Sequence, residues 1–308
     1  MGKYVVSVSL GSSIRDYKKE LTLGNEVVIV ERIGTNGDMK KYRELIESLD
    51  GKVDVFGIGG TDLYLWKGTR RYKIRDVWKK LIKNVKETPI VDGGGMKCTL
   101  EGRIMQFAEE KLPEEVEESR ATLVTAAVDR WFQAQSAWEF VGKNKKLITF
   151  GDLLWGFKLG IPLHTLRNVY NIGTVLLPLV TRLPFSWLYP TGEKQEVNKP
   201  SFTKYFKRAK WIAGDFNIIN RNMPYDEMEG KIIVTNTTTA ADVQNLKDIG
   251  VKYIITSTPR VEGRSFGTNA LEAAIVAVSG EKRELTLEEY QEYLKKLKIE
   301  PTLEKLQD

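Results

Sequence analysis

Apolar and polar residues alternate along this chain in blocks that predict strands separated by helices, and the stretch from Lys231 to Ala277 carries the clearest instance. Ile232, Ile233 and Val234 form a continuous apolar run of the kind found in strands buried on both faces, and Tyr253, Ile254 and Ile255 form a second. Between them Thr239 and Asp242 stand at capping-box spacing, Val243, Leu246 and Ile249 mark a buried helical face, and Gly250 marks its end. This is a βαβ unit, expected to have parallel strands and a right-handed crossover.

The same alternation begins at the N-terminus. Strands are predicted at Tyr4–Leu10, Val27–Ile33 and Val53–Ile58, with a helix opened by Asp38 and bearing Met39, Tyr42, Leu45, Ile46 and Leu49. Leu63–Ile74 reads as a hairpin turning at Lys67 and Gly68. An amphipathic helix with Ile74, Val77, Trp78, Leu81, Ile82 and Val85 follows, then a strand from Pro89 to Val91. Further elements are a helix bearing Leu100, Ile104, Phe107 and Ala108, strands at Ala121–Thr125 and Leu147–Phe150, and a helix through Trp131, Phe132 and Phe140 between them. From Gly151 to Phe206 the pattern gives way to aromatics and prolines, then resumes at Trp211–Ala213 and closes with a helix over Leu287–Leu297. The expected fold is α/β, with two Rossmann-like doubly wound halves, mainly parallel sheets and a helical, aromatic-rich insertion. The expected divisions are residues 1–150, 151–206 and 207–308.

Composition narrows the function. The 308 residues are 42% hydrophobic, enough for a full core. The +6 formal charge is diluted among 29% charged residues, which suits a small anionic ligand and does not indicate nucleic acid. One cysteine, Cys98, excludes an internal disulfide, and with the one histidine, His164, it leaves no Cys/His metal cluster, so no metal is expected. His164 lies between Leu163 and Leu166 and reads as structural. The N-terminal apolar run reads as a strand rather than a signal peptide, and Pro178, Arg182 and Pro184 interrupt the longest apolar stretch, so no membrane span is expected. These features predict a soluble cytoplasmic protein and leave homo-oligomerisation open.

Three loops carry candidate chemistry. Gly57, Gly59 and Gly60 follow a strand and form half of a dinucleotide fingerprint, but Asp62 occupies the place of the third glycine. Asp92 ends the next strand, where Rossmann proteins hold a ribose, although it lies 35 residues beyond Gly57 against roughly 20 in the compact fingerprint. Arg70, Arg71, Lys73 and Arg75 lie between them and suit either a phosphate or a solvated hairpin. Gly93, Gly94 and Gly95 make a second glycine-rich helix start, where three adjacent glycines imply a sharp bend or a close approach. The third loop carries Thr258, Gly263, Arg264, Ser265, Gly267, Thr268 and Asn269 into an Ala-rich helix from Ala270 to Val278, a pattern suited to an anion at a helix N-terminus. There Arg264 either binds the anion or pairs with a carboxylate such as Glu262, and Asn269 with Glu272 has the spacing of a reciprocal cap.

Taken together, VVSVSLGSS (5–13), VFGIGGTDLYL (55–65), PIVDGGGMKCTLEGR (89–103) and STPRVEGRSFGTNALEA (257–273) resemble clostridial-type proteins labelled quinate 5-dehydrogenase. The resemblance implies hydride transfer between NAD or NADP and a quinate- or shikimate-like hydroxy acid. It places the cofactor across Gly57, Gly59, Gly60, Asp92, Gly93 and Gly94, with Lys97 or Asp62 as the acid/base group. The chain departs from the shikimate dehydrogenase pattern at its catalytic-lysine stretch, its partner aspartate and its glycine–alanine loop, so no catalytic lysine carries over by position. Two other classes fit the loops. One is a sugar-nucleotide-dependent glycosyltransferase, by the loose likeness of VEGRSFGTNALEA to that group. The other is a non-catalytic protein that binds a nucleotide or phosphometabolite.

Overall fold

The computed structural model describes residues 2–68, 70–184, 198–261 and 264–307; the side chains of Val261 and Arg264 also lie outside this set. Phe185, Trp187, Tyr189 and Pro190 of the expected insertion, and Glu262 and Gly263 of the third loop, therefore fall outside the described residues.

The chain is an α/β protein with two sheet-bearing halves. The first sheet is built from β1 (Lys3–Ser9), β2 (Tyr17–Leu23), β3 (Glu26–Gly34), β4 (Val55–Gly59) and β7 (Ile90–Val91), in the order β2-β3-β1-β4-β7. All neighbours are parallel except β2, which closes one edge antiparallel to β3. The sequence pattern missed β2 because its buried residues are only Leu21 and Leu23. A hairpin of β5 (Tyr64–Lys67) and β6 (Arg70–Lys73) leaves this sheet where the sequence predicts it.

The second sheet contains β8 (Thr122–Val124), β9 (Ile148–Phe150), β10 (Trp211–Ala213), β11 (Ile232–Thr235), β12 (Tyr253–Thr256) and β15 (Thr302–Lys305), in the order β15-β12-β11-β10-β8-β9. β15 alone is antiparallel. Strands β8 and β9, grouped by sequence with the N-terminal half, thus pair with the later strands. A short ladder of β13 (Arg260–Val261) and β14 (Arg264–Ser265) follows β12.

Period-two patterning places each strand's side chains on two cores. In β1, Val6 and Val8 face Phe56, Ile58, Tyr42 and Ile46, the last two from α1 (Met39–Leu49), and Val77 of α2 (Arg75–Lys80) joins them. Val5, on the opposite face, meets Leu271, Ala274 and Ile275 of a helix that arrives from the far end of the chain. The helices between the sheets are α3 (Gly94–Thr99), α4 (Ile104–Lys111) and α5 (Pro113–Glu118). Next come α6 (Trp131–Phe140), α7 (Leu166–Val180), α8 (Thr203–Arg208), α9 (Phe216–Asn222) and α10 (Ala240–Asp248). α7 is the longest of the described helices in the insertion. In α10 the Thr239–Asp242 capping box forms as its spacing predicts.

α11 (Thr268–Ser279) is the helix that crosses back. Its residues from Thr268 to Ala277 are buried on all sides, and it packs over β1, β3 and β4 of the first sheet, not over the second sheet that precedes it. α12 (Leu287–Lys296) adds Tyr290 and Leu294 to the same core, and only then does the chain return through β15 to the second sheet. The glycines make this crossing sterically possible. A Cβ on Gly57 would lie 2.7 Å from the Asn269 carbonyl oxygen, and one on Gly95 would overlap the Tyr290 ring. Gly95→Ala is therefore expected to lower unfolding free energy by about 1–3 kcal/mol through overpacking. Gly156→Ala, where an added Cβ meets nothing within 4 Å, is the control. Equal midpoints in urea for the two variants would contradict the packing account.

Candidate functional site at the seam of the two sheets

Each sheet contains a point where strand order reverses: between β1 and β4 in the first, and between β8 and β10 in the second. At such points the loops leaving the carboxyl ends of neighbouring strands diverge, and open α/β sheets bind ligands there. The loop after β4 carries Thr61 and Asp62; the loop after β8 carries Asp129 and Arg130, and that after β10 carries Asp215. Lys97 of α3 joins the two sets.

The Lys97 ammonium lies 2.7 Å from Asp62 Oδ1 and 3.4 Å from Asp129 Oδ1. The Arg130 guanidinium donates to Glu101 and, at 2.7 Å, to Asp215 Oδ2, while its Nε stands 3.8 Å from Asp129 Oδ2. Asn236, just past β11, donates to the same Asp215 oxygen at 3.1 Å. The result is a chain of alternating charges, Asp62–Lys97–Asp129–Arg130–Asp215, that runs from one sheet to the other.

Burial sets the protonation of this chain. It pushes the Asp62 carboxyl up to about 7, with Asp129 and Asp92 acting in the same direction and Lys97 opposing them. Burial would raise Asp129 too, but Lys97 and Arg130 outweigh it and hold that carboxylate below its usual range. Both cations are opposed by burial and still held above their ordinary ranges, Lys97 by Asp129 and Asp62, Arg130 by Glu101, Asp215 and Asp129. An acid that titrates near neutrality beside a locked ammonium is suited to proton transfer.

Two further aspartates hold the loops in place. Asp92 accepts from the backbone N–H groups of Leu63 at 2.6 Å and Tyr64 at 3.2 Å, immediately after Asp62, and its other oxygen accepts from Gly94 at 2.9 Å. Asp152, past β9, accepts from Ala127 at 2.9 Å and Val128 at 2.8 Å, immediately before Asp129. Burial raises the Asp152 carboxyl to about 6 against those two bonds. Each half thus fixes its acidic loop from the adjacent strand.

The structure brings Lys97 and Asp62 together and distributes the other candidates differently. Asp92 is buried and its oxygens are taken by backbone, an arrangement that leaves no free acceptor aimed at a ribose. The glycines do not form a cradle for a dinucleotide. Gly57 and Gly59 are covered by Asn269, Gly59 also by Ser9, Gly60 by Leu10 and Gly11, Gly93 by Thr268, and Gly94 by Asp92. The close approach that their missing side chains permit is made by the protein itself.

The third loop is also inward-facing. Thr258 Oγ1 donates to the Phe266 carbonyl at 2.7 Å, Ser265 Oγ binds both the N–H and the carbonyl of Thr238, and Thr268 and Asn269 are buried. The Arg264 side chain lies outside the described residues. Asn269 does not cap α11, as its spacing with Glu272 predicted: Gly267 holds the cap position, and Asn269 Nδ2 reaches 2.7 Å to Ser7 Oγ in β1. Glu272 is fully buried and accepts from the Gly95 N–H at 3.0 Å, which takes it away from any sugar nucleotide. His164 Nδ1 lies 2.8 Å from the Ile148 carbonyl, in keeping with a structural role.

Sequence reasoning missed Asp129, Arg130, Asp215 and Glu101. A usable signal was present for three of them, since Asp129, Arg130 and Asp215 each follow a predicted parallel strand by a few residues, on the edge where such sheets bind ligands. Among the described residues no group of three or more His, Cys, Asp or Glu is arranged to hold a metal ion, and no helix is long and apolar enough to cross a membrane.

Comparison with solved structures returns low-scoring likenesses over nearly the whole chain. A galactofuranose binding protein aligns with TM-score 0.37 and 11% identity, covering 96% of this chain and 98% of that one. GanP, a glucose-galactose binding protein from Geobacillus stearothermophilus, aligns at 0.39 and 8%, covering 100% and 99%. An NAD-dependent malic enzyme from Thermotoga maritima aligns at 0.33 and 12%, covering 96% and 84%. Scores this low bear on neither the site nor its chemistry. No curated protein matches the chain. Two family models do match: Domain of unknown function (DUF8753) over residues 4–92, and Domain of unknown function (DUF8754) over residues 95–306. Their boundary falls at the glycine run between Asp92 and Lys97, so each model contributes one member of the Lys97–Asp62 pair. With the second model spanning well over half of its length, the chain belongs to the DUF8754 family.

Proposed function

We propose that this chain is an enzyme that moves a proton on a hydroxyl-bearing small molecule bound at the seam, with Asp62 and Lys97 as the proton-transferring pair. The observation that carries this reading is the 2.7 Å contact of Lys97 and Asp62 where the two strand-order reversals meet. Asp62, titrating near 7, accepts the hydroxyl proton in its ionised form, while the Lys97 ammonium stabilises the oxygen that carries developing negative charge. Asp129 keeps Lys97 protonated and in place.

A second reading is supported by the same pair. Oxidation of a quinate- or shikimate-like hydroxy acid by NAD or NADP requires a base for the hydroxyl proton, and the resemblance to quinate 5-dehydrogenases implies Lys97 or Asp62 in that role. The covered glycines do not fit the dinucleotide at 57–60, so this reading requires a cofactor seat elsewhere.

The test is a substrate panel of hydroxy acids, cyclitols and sugars, each incubated with and without NAD or NADP and followed by proton exchange and by reduced-nicotinamide absorbance. Lys97→Met is expected to lower turnover about a hundredfold, the low end of what a positioned acid or base contributes. In the unmodified chain kcat/KM should rise with pH through about 7, and Asp62→Asn should remove that limb. A turnover unchanged in both variants, with folding verified by circular dichroism, would sink the assignment. Failure of NAD and NADP to bind at millimolar concentration would remove the oxidoreductase reading alone.

A further inference from the structure

Resting on the seam as the ligand site, we propose that its ligand is a neutral polyol, held through hydroxyl groups by Asp129, Arg130 and Asp215, and not an anion. The charge on the cluster points this way first. Three carboxylates, Glu101, Asp129 and Asp215, together with Asp62, which titrates near 7, stand against two cations, Lys97 and Arg130. Accessibility reinforces it. The side chains of Asp129 and Asp215 are 33% and 18% exposed, while those of Lys97 and Arg130 are 10% and 4% exposed. A molecule entering the seam therefore meets acceptors, and both cations behind them are already committed to carboxylates. An anionic ligand would have to displace one of these pairs against like charge.

One gap in the cluster selects the hydroxyl group more narrowly. Arg130 Nε is buried, has no hydrogen-bond partner, and faces Asp129 Oδ2 at 3.8 Å, too far for a direct bond. An oxygen seated between them that is both donor and acceptor completes both groups, accepting from Nε and donating to Oδ2. A hydroxyl does this; a carboxylate has no proton to give, and an ammonium has no lone pair to accept with. Asp215 stands one step along, already accepting from Arg130 and Asn236 at Oδ2 and from the Asn217 N–H at Oδ1, and its partly exposed carboxylate can accept from a further hydroxyl. A buried donor such as Nε left unmatched is what gives sites of this type strong discrimination.

Isothermal titration calorimetry on the full chain tests the inference, with myo-inositol and a set of neutral pyranoses as probes, and quinate and an aminocyclitol as charged counterparts. At least one neutral polyol is expected to bind saturably, and quinate and the aminocyclitol at least tenfold more weakly. Asp129→Asn and Asp215→Asn, each checked for folding by circular dichroism, are each expected to weaken that polyol at least tenfold. Absence of saturable binding by every neutral probe at millimolar concentration overturns the inference, as does quinate or the aminocyclitol binding as tightly as the best neutral probe. Binding is read without turnover, so loss of the acid–base reading in Lys97→Met leaves this result standing. Conversely, quinate preferred over every polyol, with turnover lost in Lys97→Met, sinks the polyol and keeps the proton-transferring pair.

Discussion

Arg130→Met is expected to lower unfolding free energy by about 3–5 kcal/mol, the cost of leaving a buried partner charge uncompensated. Glu101, which shares the Arg130 guanidinium with Asp215, is fully buried, so after the substitution its carboxylate faces apolar surroundings with no counter-ion. Asp215 keeps Asn236 and some access to water. The loss therefore falls chiefly on the Glu101 contact and on the seam that it closes. Urea denaturation followed by far-ultraviolet circular dichroism measures it, and an unchanged m-value would show that the denatured ensemble is unaffected. The double variant Arg130→Met with Glu101→Leu should recover much of the loss, because a buried ion pair exchanged for apolar groups of similar volume is often neutral. A single-variant loss below about 1 kcal/mol would mean that the pair is far more hydrated than the geometry implies.

The second large effect is a pH dependence that runs opposite to that of an ordinary salt-bridged carboxylate. Burial first, then the nearby Asp92, pushes the Glu272 carboxyl up to about 8 against the lowering influence of Tyr290 and the Gly95 N–H. In the unfolded chain the same group titrates near the ordinary glutamate value of 4.5. Between these values the folded protein retains a proton that the unfolded chain has released. The stabilisation is complete below about 4.5 and is lost as pH rises towards 8, with a slope on the order of 1 kcal/mol per pH unit. Glu272→Gln keeps an oxygen for the Gly95 N–H and removes the titration. Variant and unmodified protein should therefore differ little at acid pH, and the variant should become progressively the more stable of the two up to pH 8. Asp62 and Asp152 contribute the same sign in both proteins, so the difference between the two curves isolates Glu272. Parallel curves from pH 5 to pH 8 would contradict the buried-acid account. The effect matters for the seam because the Glu272–Gly95 bond ties α11 to the helix that carries Lys97.

The elements legible in the sequence are those whose signals are local. Thr239 and Asp242 announce α10, Asp38 caps α1 through Lys40 and Lys41, and the apolar runs at 232–235 and 253–256 pair in parallel. These depend on backbone caps and on side-chain period, which operate within a few residues. The strands β2 and β15 were not legible, because their mixed polar and half-buried residues show little of the apolar pattern that marks a central strand.

The glycines at 57 and 59 read as half of a dinucleotide fingerprint and those at 93–95 as a sharp bend or close approach, and neither reading specifies which part of the protein fills the space. A missing side chain states only that space is needed, and the sequence offered a cofactor as readily as a helix. The tertiary structure assigns that space to Asn269, Ser9, Thr268 and Tyr290. The same contrast holds for the site. That Lys97 and Asp62 are suited to acid–base chemistry follows from residue type; that they meet at 2.7 Å, and that Asp129 and Arg130 of the other sheet meet them, depends on how two sheets dock. Sequence by itself determined the apolar strands and the capped helices and which loops leave the carboxyl ends of those strands, since these follow from local periodicity and capping. Only the tertiary structure decided that α11 crosses back to the first sheet and that four carboxyl groups surround two cations at the seam. Such contacts join residues as far as 262 positions apart, as in the Asn269–Ser7 bond, and are selected by shape and charge complementarity across surfaces that no local pattern encodes.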